Sequence, residues 1–540
     1  MEPQVRNLVD ISTSPAALRS CADLVLGRAQ WATQVFQRYD RSATMAIVDA
    51  VAQAIHDNAQ KYADWAVEET GFGVPADKKL KNELSAFPLV DYYRDEDFIN
   101  PQIDIGRKIV KIPRPAGVIV ALTPATNPIS TINYKIIMAL MTRNAIVISP
   151  HPAARACCVD AAEMLARAAV SAGAPDGIIQ IIEQPNIPLI EEFMKSPKTS
   201  LILATGGDAM VRAAYSSSNP AMGVGPGNAP VFVDSSADIS KAAERIVDSK
   251  SFDNSVLCTN ESVLVTLTQI DKQLRRALEG YGAYICSDEE TEVLRRFLFH
   301  AKGFNVEAVG RDAVWIAQEC GIRVPVKTRI LVTPITQIGV EERLSKEKLC
   351  PVLAYHVVPN RTQAIAQARA ILRLTGAGHS AAIHATDERV IMEYASTVEV
   401  YRVIVNAPSS QGSAGFQTNL APAFTIGTGF FGRSSIGENI GPQHLVHWTR
   451  IAYNKDPSET FGHFENLGPE FAGPLPQAPA DGVPGSSSPK TIVPPNSSSE
   501  FTGLKSSGPK SSGPKPYREE FSREELRKLI AEELRAALKR

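Results

Sequence analysis

Cys258 lies in Ser251-Phe-Asp-Asn-Ser-Val-Leu-Cys258-Thr-Asn-Glu261, among small, polar and turn-forming residues. A thiol reacts as its thiolate, and a cysteine at an element end beside backbone N–H groups ionises more readily than one packed in apolar surroundings. Cys258 is therefore the candidate nucleophile, with a thiolate expected to be within easy reach. Three other segments offer groups that a nucleophile needs. Thr123-Pro124-Ala-Thr-Asn127-Pro follows an apolar strand-like run, and the Asn127 amide suits the role of donor to an oxyanion. Thr205-Gly206-Gly207 follows another such run and suits the start of a helix that receives a phosphate or a flat ring. Gly223-Val-Gly225-Pro-Gly227-Asn is glycine-rich, but its internal proline and the strand after it argue against a dinucleotide fingerprint.

These loops need elements to hold them. From Cys21 to about Lys81, Ala, Leu, Val and Ile return at three- and four-residue steps, which predicts amphipathic helices. The alternating run Ile105-Gly-Arg-Lys-Ile-Val-Lys-Ile112, within 103–112, predicts an exposed strand arm. Gly117–Leu122, Ala145–Ser149, Gly177–Ile182, Ser200–Ala204 and Pro230–Asp234 are apolar runs spaced for intervening helices, the pattern of a parallel sheet. A second such series runs from about Asp234 to Thr425, with Ser262–Thr266, Arg329–Thr333 and Val403–Asn406 as strands. The expected fold class is α/β with two lobes.

Composition sets limits on function. The chain has 540 residues, 44% hydrophobic and 21% charged, with 56 basic and 58 acidic side chains for a net charge of −2. That balance gives no footprint for nucleic acid or a membrane surface. The seven cysteines are odd in number and lack paired CxxC spacing, which predicts a reduced compartment, no disulfide framework and no metal site. No basic start followed by an apolar run and no stretch of about 18 apolar residues occurs, so neither export nor a membrane span is expected.

Towards the C-terminus the composition changes. Between Gly468 and Pro516, 7 Gly, 11 Pro and 10 Ser make up 28 of 49 residues, too little apolar surface to offset ordering entropy. A disordered linker over 456–516 is expected, its ends roughly 40 Å apart as a flexible coil. Beyond it, Ser522 and Glu525 form a capping-box pattern, and Leu526, Leu529, Ile530, Leu534 and Leu538 fall on one helical stripe. With seven basic and six acidic residues, the 517–540 segment lacks the cationic face of a membrane-surface helix. A helix this short is marginal alone, so the stripe predicts docking on a partner.

Taken in this order, Val67-Glu-Glu-Thr-Gly71, the Thr123–Pro128 loop, Ser149-Pro-His151-Pro152, Thr205–Gly207, Ser251–Cys258, Glu347-Lys-Leu349-Cys-Pro351, Gly376-Ala-Gly-His379 and Val405-Asn-Ala-Pro408 resemble the aldehyde dehydrogenase superfamily, in its CoA-acylating branch. The resemblance covers roughly Cys21 to Asn454. It implies an NAD-binding domain (1–102 and 113–233), a catalytic domain (234–431) and an oligomerisation arm (103–112 and 432–455) that builds dimers or tetramers. It also implies that Cys258 attacks the aldehyde carbonyl while Asn127 and the Cys258 N–H hold the oxyanion. Glu347 matches the carboxylate on the nicotinamide ribose. Thr205, Gly206 and Gly207 match the loop against the nicotinamide, and His151 and Pro152 lie where the adenosine half rests. Thr123, Pro124, Gly225 and Leu349 complete the implied cofactor contacts.

One departure bears on the acceptor. Hydrolytic relatives carry a glutamate base in the segment matching Met222–Gly227, and this chain has none there. Water, with a pKa of about 16, needs such a base, whereas a thiol of pKa about 8.5 is partly ionised near neutrality. Coenzyme A is thus the expected acceptor. His151 stands where relatives commonly carry lysine, which favours NAD over NADP. His379 and His384 are read as structural histidines, though either would suit thiol deprotonation or a CoA contact. The tether and terminal helix resemble the encapsulation peptides that recruit enzymes to bacterial microcompartment shells. A cytoplasmic location in the lumen of such a compartment follows, with a shell protein as partner and propionaldehyde, then acetaldehyde, as substrate. The alternatives are a non-catalytic scaffold for shell or cargo on the same fold, and a hydrolytic dehydrogenase.

Overall fold

The computed structural model describes residues 14–465 apart from 301 and 302, together with 467, 468, 474, 477 and 478. The linker beyond these positions and the 517–540 helix lie outside the described residues. Among the described residues, no helix is long and apolar enough to cross a membrane.

Four helices come first among the described residues: Pro15–Phe36, Arg41–Asp57, Ala59–Thr70 and Pro75–Leu84. Their starts follow local chemistry. Ser14 and Asp40 accept hydrogen bonds from the free N–H groups of the first two, and Pro75 occupies the first turn of the fourth, where it loses no bond. The third ends at Gly71, whose φ of 73° lets its N–H reach Val67 O.

The first sheet has five parallel strands in the order Ile179–Ile181, Ala145–Ser149, Val118–Leu122, Leu201–Thr205 and Ala221–Val224. Every residue of Val118–Leu122 and Ala145–Ser149 is buried, as expected of strands covered on both faces. The crossover helix Pro128–Met141 is buried along its whole length, wedged between this sheet and the opening helices. The second sheet has seven parallel strands, ordered Ala283–Ile285, Ile330–Ile335, Val352–Val358, Glu261–Leu267, Ala229–Val233, Ala381–His384 and Val403–Val405. Each sheet has its own apolar core.

Ala229–Val233, placed by the sequence in the first lobe, belongs to the second sheet, between Glu261–Leu267 and Ala381–His384. The passage between lobes is therefore Gly225–Asn228 rather than 233/234. A strand flanked by loops carries no mark of the sheet it joins, and register alone decides. Asn228 pins the crossing by donating to Ser345 O and Ile371 O.

The arm is a three-stranded antiparallel sheet of Gln102–Asp104, Ile109–Pro115 and Val446–Ala452. Its second strand runs three residues past the expected Ile112. Residues 456–465, expected to start the linker, instead pack against this arm. Phe461 and Phe464 meet Tyr453 with ring centroids 5.1 and 5.9 Å away, and Lys108 Nζ donates to Asp456 O and Glu459 O at 2.6 Å. Two aromatic rings anchor 456–465 on the arm.

This topology sets two edges face to face. Thr123, His151 and Thr205 follow or end strands of the first sheet at its carboxyl edge, where α/β ligands bind. Cys258, Glu347 and His379 each precede a strand of the second sheet, at its amino edge.

Candidate active site

Between these edges lies a cavity of about 200 Å³. All twelve residues singled out from the sequence line it: Thr123, Pro124, Asn127, His151, Pro152, Thr205, Gly206, Gly207, Gly225, Cys258, Glu347 and Leu349.

Cys258 is delivered by an unusual turn. Asp253, Asn254 and Ser255 have φ of 48°, 50° and 63°, three successive non-glycine residues in the left-handed region. Such conformations cost on the order of 1 kcal/mol each and persist where surroundings hold them, Asn and Asp tolerating them best. Here Asp253 Oδ1 accepts from Val74 N at 2.7 Å, its Oδ2 is paired with Lys78 and Lys81, and Asn254 Nδ2 donates to Gly310 O at 2.8 Å. Gly73 makes room, since a Cβ there would lie 2.0 Å from Asp253 Oδ1.

Around the sulfur, Asn127 Nδ2 faces Val256 O at 3.4 Å, and the nearby Cys258 N–H lowers the pKa of its own thiol. Glu347 Oε1 accepts from Gly227 N at 3.2 Å. Gly227 is indispensable to this approach, because a Cβ would sit 2.0 Å from Cys258 O and 3.2 Å from Glu347 Oε1.

The thiol departs from expectation. Burial, followed by the charge of Glu347, pushes the Cys258 pKa up to about 12. The sequence reading counted polar neighbours and backbone donors, but the folded lobes enclose the sulfur, and desolvation of the thiolate outweighs those donors. A second group compensates. His379 Nε2 lies 3.1 Å from Cys258 Sγ, its Nδ1 lies 2.9 Å from Ser380 Oγ, and its carbonyl accepts from Arg402 Nε at 2.9 Å. Burial, then the Arg402 charge, holds the His379 pKa down at about 3. The resting pair is a neutral thiol beside a neutral imidazole.

His379 is the residue whose place the sequence reading missed. It sits 121 positions from Cys258, and only the Gly376-Ala-Gly-His379 motif signalled it. The other histidine weighed with it, His384, is buried in the second sheet with neither ring nitrogen hydrogen-bonded, and it does not line the cavity.

Comparison with known proteins gives the family. Residues 5–292 match the model of the aldehyde dehydrogenase family. This chain belongs to that family. An aldehyde-alcohol dehydrogenase of Clostridium acetobutylicum is 38% identical over 433 residues, 79% of this chain and 50% of that protein. The chain thus spans about half the length of such curated relatives. Among solved structures, an acetylating aldehyde dehydrogenase from Geobacillus thermoglucosidasius is similar with TM-score 0.80 and 36% identity, covering 83% of this chain and 98% of that one. A propionaldehyde dehydrogenase from the fucose utilisation bacterial microcompartment of Clostridium phytofermentans is similar with TM-score 0.73 and 30% identity, covering 79% of this chain and 96% of that one. The fold is accordingly the α/β aldehyde dehydrogenase fold.

Proposed function

We propose that this aldehyde dehydrogenase is CoA-acylating: an aldehyde, coenzyme A and NAD⁺ give acyl-CoA and NADH through a thioester on Cys258. The observation that carries this reading is the 3.1 Å contact of Cys258 Sγ with the buried His379 Nε2, at a cavity that Cys258 lines together with Asn127 and Glu347. The names of the acetylating and propionaldehyde relatives support it.

His379 Nε2 takes the thiol proton as Sγ attacks the aldehyde carbonyl, so free thiolate need not accumulate. The alkoxide that forms is met by Asn127 Nδ2 and the Cys258 N–H, donors aimed at developing charge. The residues fit a nicotinamide dinucleotide. Gly207 caps the helix Asp208–Tyr215 at the cavity, and the Glu347 carboxylate suits a ribose diol. Such a cofactor supplies the hydride acceptor. Before the second half-reaction His379 passes its first proton to solvent; it then accepts the CoA thiol proton as that sulfur attacks the thioester, and returns it to the Cys258 sulfur as the C–S bond to Cys258 breaks. Among the described lining residues Glu347 is the only carboxylate, and its Oε1 is engaged by the Gly227 N–H.

The same lining holds no Lys or Arg, while Phe72, Val256, Val309, Phe424 and Ile426 contribute apolar surface. That favours a short uncharged aldehyde over one bearing a carboxylate or sulfonate. Propionaldehyde is the first choice and acetaldehyde the second, separated by one methylene worth about 1–3 kcal/mol. The 517–540 amphipathic stripe and its Pro/Ser-rich tether support recruitment to a microcompartment shell, and the arm supports a homo-oligomer.

The test follows NADH absorbance with propionaldehyde, acetaldehyde and succinic semialdehyde, with and without CoA. Sustained turnover of the uncharged aldehydes only when CoA is present supports the reading. Undiminished turnover without CoA means that water reaches the thioester and sinks it. Removing 468–540 is expected to spare turnover and abolish co-purification with shells; retention of the truncated protein on shells refutes the role given to the tail.

A further inference from the structure

An oxyanion donor must present its N–H₂ rather than its carbonyl to the cavity, and an isolated asparagine has no preference between the two. In this protein the choice is made from behind. Lys81, on the helix Pro75–Leu84 and 2% exposed, donates from Nζ to Asn127 Oδ1 at 2.6 Å. Lysine has three donors and no acceptor, so rotating the amide would set two donors against each other at that distance. The Asn127 N–H₂ is directed the other way, with only long contacts to Thr126 Oγ1 at 3.3 Å and Val256 O at 3.4 Å. A strong new acceptor there finds a hydrogen already aimed.

Lys81 is itself held. Asp253, fully buried, pairs with it through Oδ2 and pairs through the same oxygen with Lys78 at 3.1 Å. Lys78 also donates to Thr126 O at 3.0 Å, beside Asn127, and Asp77 Oδ2 accepts from Asp253 N at 2.7 Å. Two ammonium groups face two carboxylates, so the cluster is balanced in charge and cross-linked to the turn that delivers Cys258.

We propose that Lys81 is a positioning residue. Its ammonium, clamped by Asp253, grips the Asn127 carbonyl, turns the N–H₂ toward the reacting oxygen and polarises the amide into a better donor. The proposal rests on the reading of Asn127 as the oxyanion donor.

A double-mutant cycle tests it. Lys81→Met, Asn127→Ala and the pair are compared in single-turnover formation of NADH. Lys81→Met is expected to slow that step roughly ten- to a hundredfold, with little change in KM for the aldehyde, because a misoriented donor fails mainly in the transition state. In the Asn127→Ala background the same change is expected to cost less than about twofold. Lys78→Met, which removes the same charge from Asp253 without touching Asn127, is expected to cost the same factor in both backgrounds. Equal losses for Lys81→Met in both backgrounds would assign Lys81 a merely structural role and overturn the proposal. An Asn127→Ala enzyme with undiminished rate would instead bring down the oxyanion reading, and the proposal with it. Should Lys81→Met not fold, Lys81→Leu takes its place in the same cycle, with the same outcomes deciding.

Discussion

The Cys258–His379 pair makes a quantitative demand. With the thiol pKa at about 12, thiolate amounts to about one part in 100,000 at neutral pH, against a few per cent for an ordinary cysteine. A mechanism that waited for that thiolate would be slow, which is why the proposed mechanism has His379 take the proton during attack. His379→Gln keeps a polar side chain of similar bulk but removes a group able to hold a proton. The loss expected in the rate of NADH formation in a single turnover is about 10²–10⁴ near neutrality, the usual worth of a general base. The variant has only the thiolate route left, so its rate should rise about tenfold per pH unit toward alkaline pH. The wild type should stay flat from roughly pH 5 to 7, since His379, with its pKa at about 3, remains neutral throughout and Lys81, its pKa lowered by burial to about 8, stays charged. Alkylation by iodoacetamide in the absence of cofactor reads the thiol directly and should show its midpoint well above the free-cysteine value of about 8.5. A deficit below about tenfold, or one that does not shrink as pH rises, would refute the assignment of His379 as proton acceptor.

Other positions give sharp expectations. Glu347→Gln removes a charge that raises the Cys258 pKa, so alkylation should quicken at fixed pH while KM for NAD⁺ rises; slower alkylation would contradict the electrostatics. Gly227→Ala forces a methyl against Cys258 O and should cost about 1–3 kcal/mol of stability together with most of the activity, read from denaturant midpoints and turnover. Glu261 is fully buried and its pKa is raised by burial from 4.5 to about 7, so folding favours the protonated acid. Its contribution is complete below the unfolded value and is lost as pH rises to about 7. Glu261→Gln should therefore gain on the wild type by up to roughly 3 kcal/mol between pH ~4.5 and pH ~7.5 in urea unfolding, and parallel curves would disprove it.

Much of the fold was written in local pattern. Apolar runs such as Ala145–Ser149 needed no tertiary information, because a strand covered on both faces is apolar throughout. What stayed hidden was pairing. Ala229–Val233 reads like its predecessors in sequence, yet it hydrogen-bonds across 32 positions to Glu261–Leu267, and nothing within five residues encodes that partner. The Tyr453, Phe461 and Phe464 contacts escaped for a related reason, since the composition of 456–465 is loop-like and only the arm supplies a surface on which the rings pack.

The site divides along the same line. Residues whose role is to carry a group on a loop were legible, and all twelve converge on one cavity. The acid–base state was not, because it belongs to the closed space between two lobes. Turn residues around Cys258 suggested an easily ionised thiol, but both flanking sheets withdraw it from water and leave His379 and Glu347 as its near titrating neighbours. The outcome has a chemical logic of its own. A thiol kept protonated at rest resists oxidation and stray electrophiles, which react with thiolate. Under the proposed mechanism, reactivity arises only when a carbonyl stands between the sulfur and the Asn127 amide, so that proton transfer to His379, bond formation and oxyanion capture proceed together. In the proposed mechanism the nucleophile is gated by its electrophile, and an enzyme acting on reactive aldehydes would gain selectivity from that coupling that a standing thiolate would forfeit.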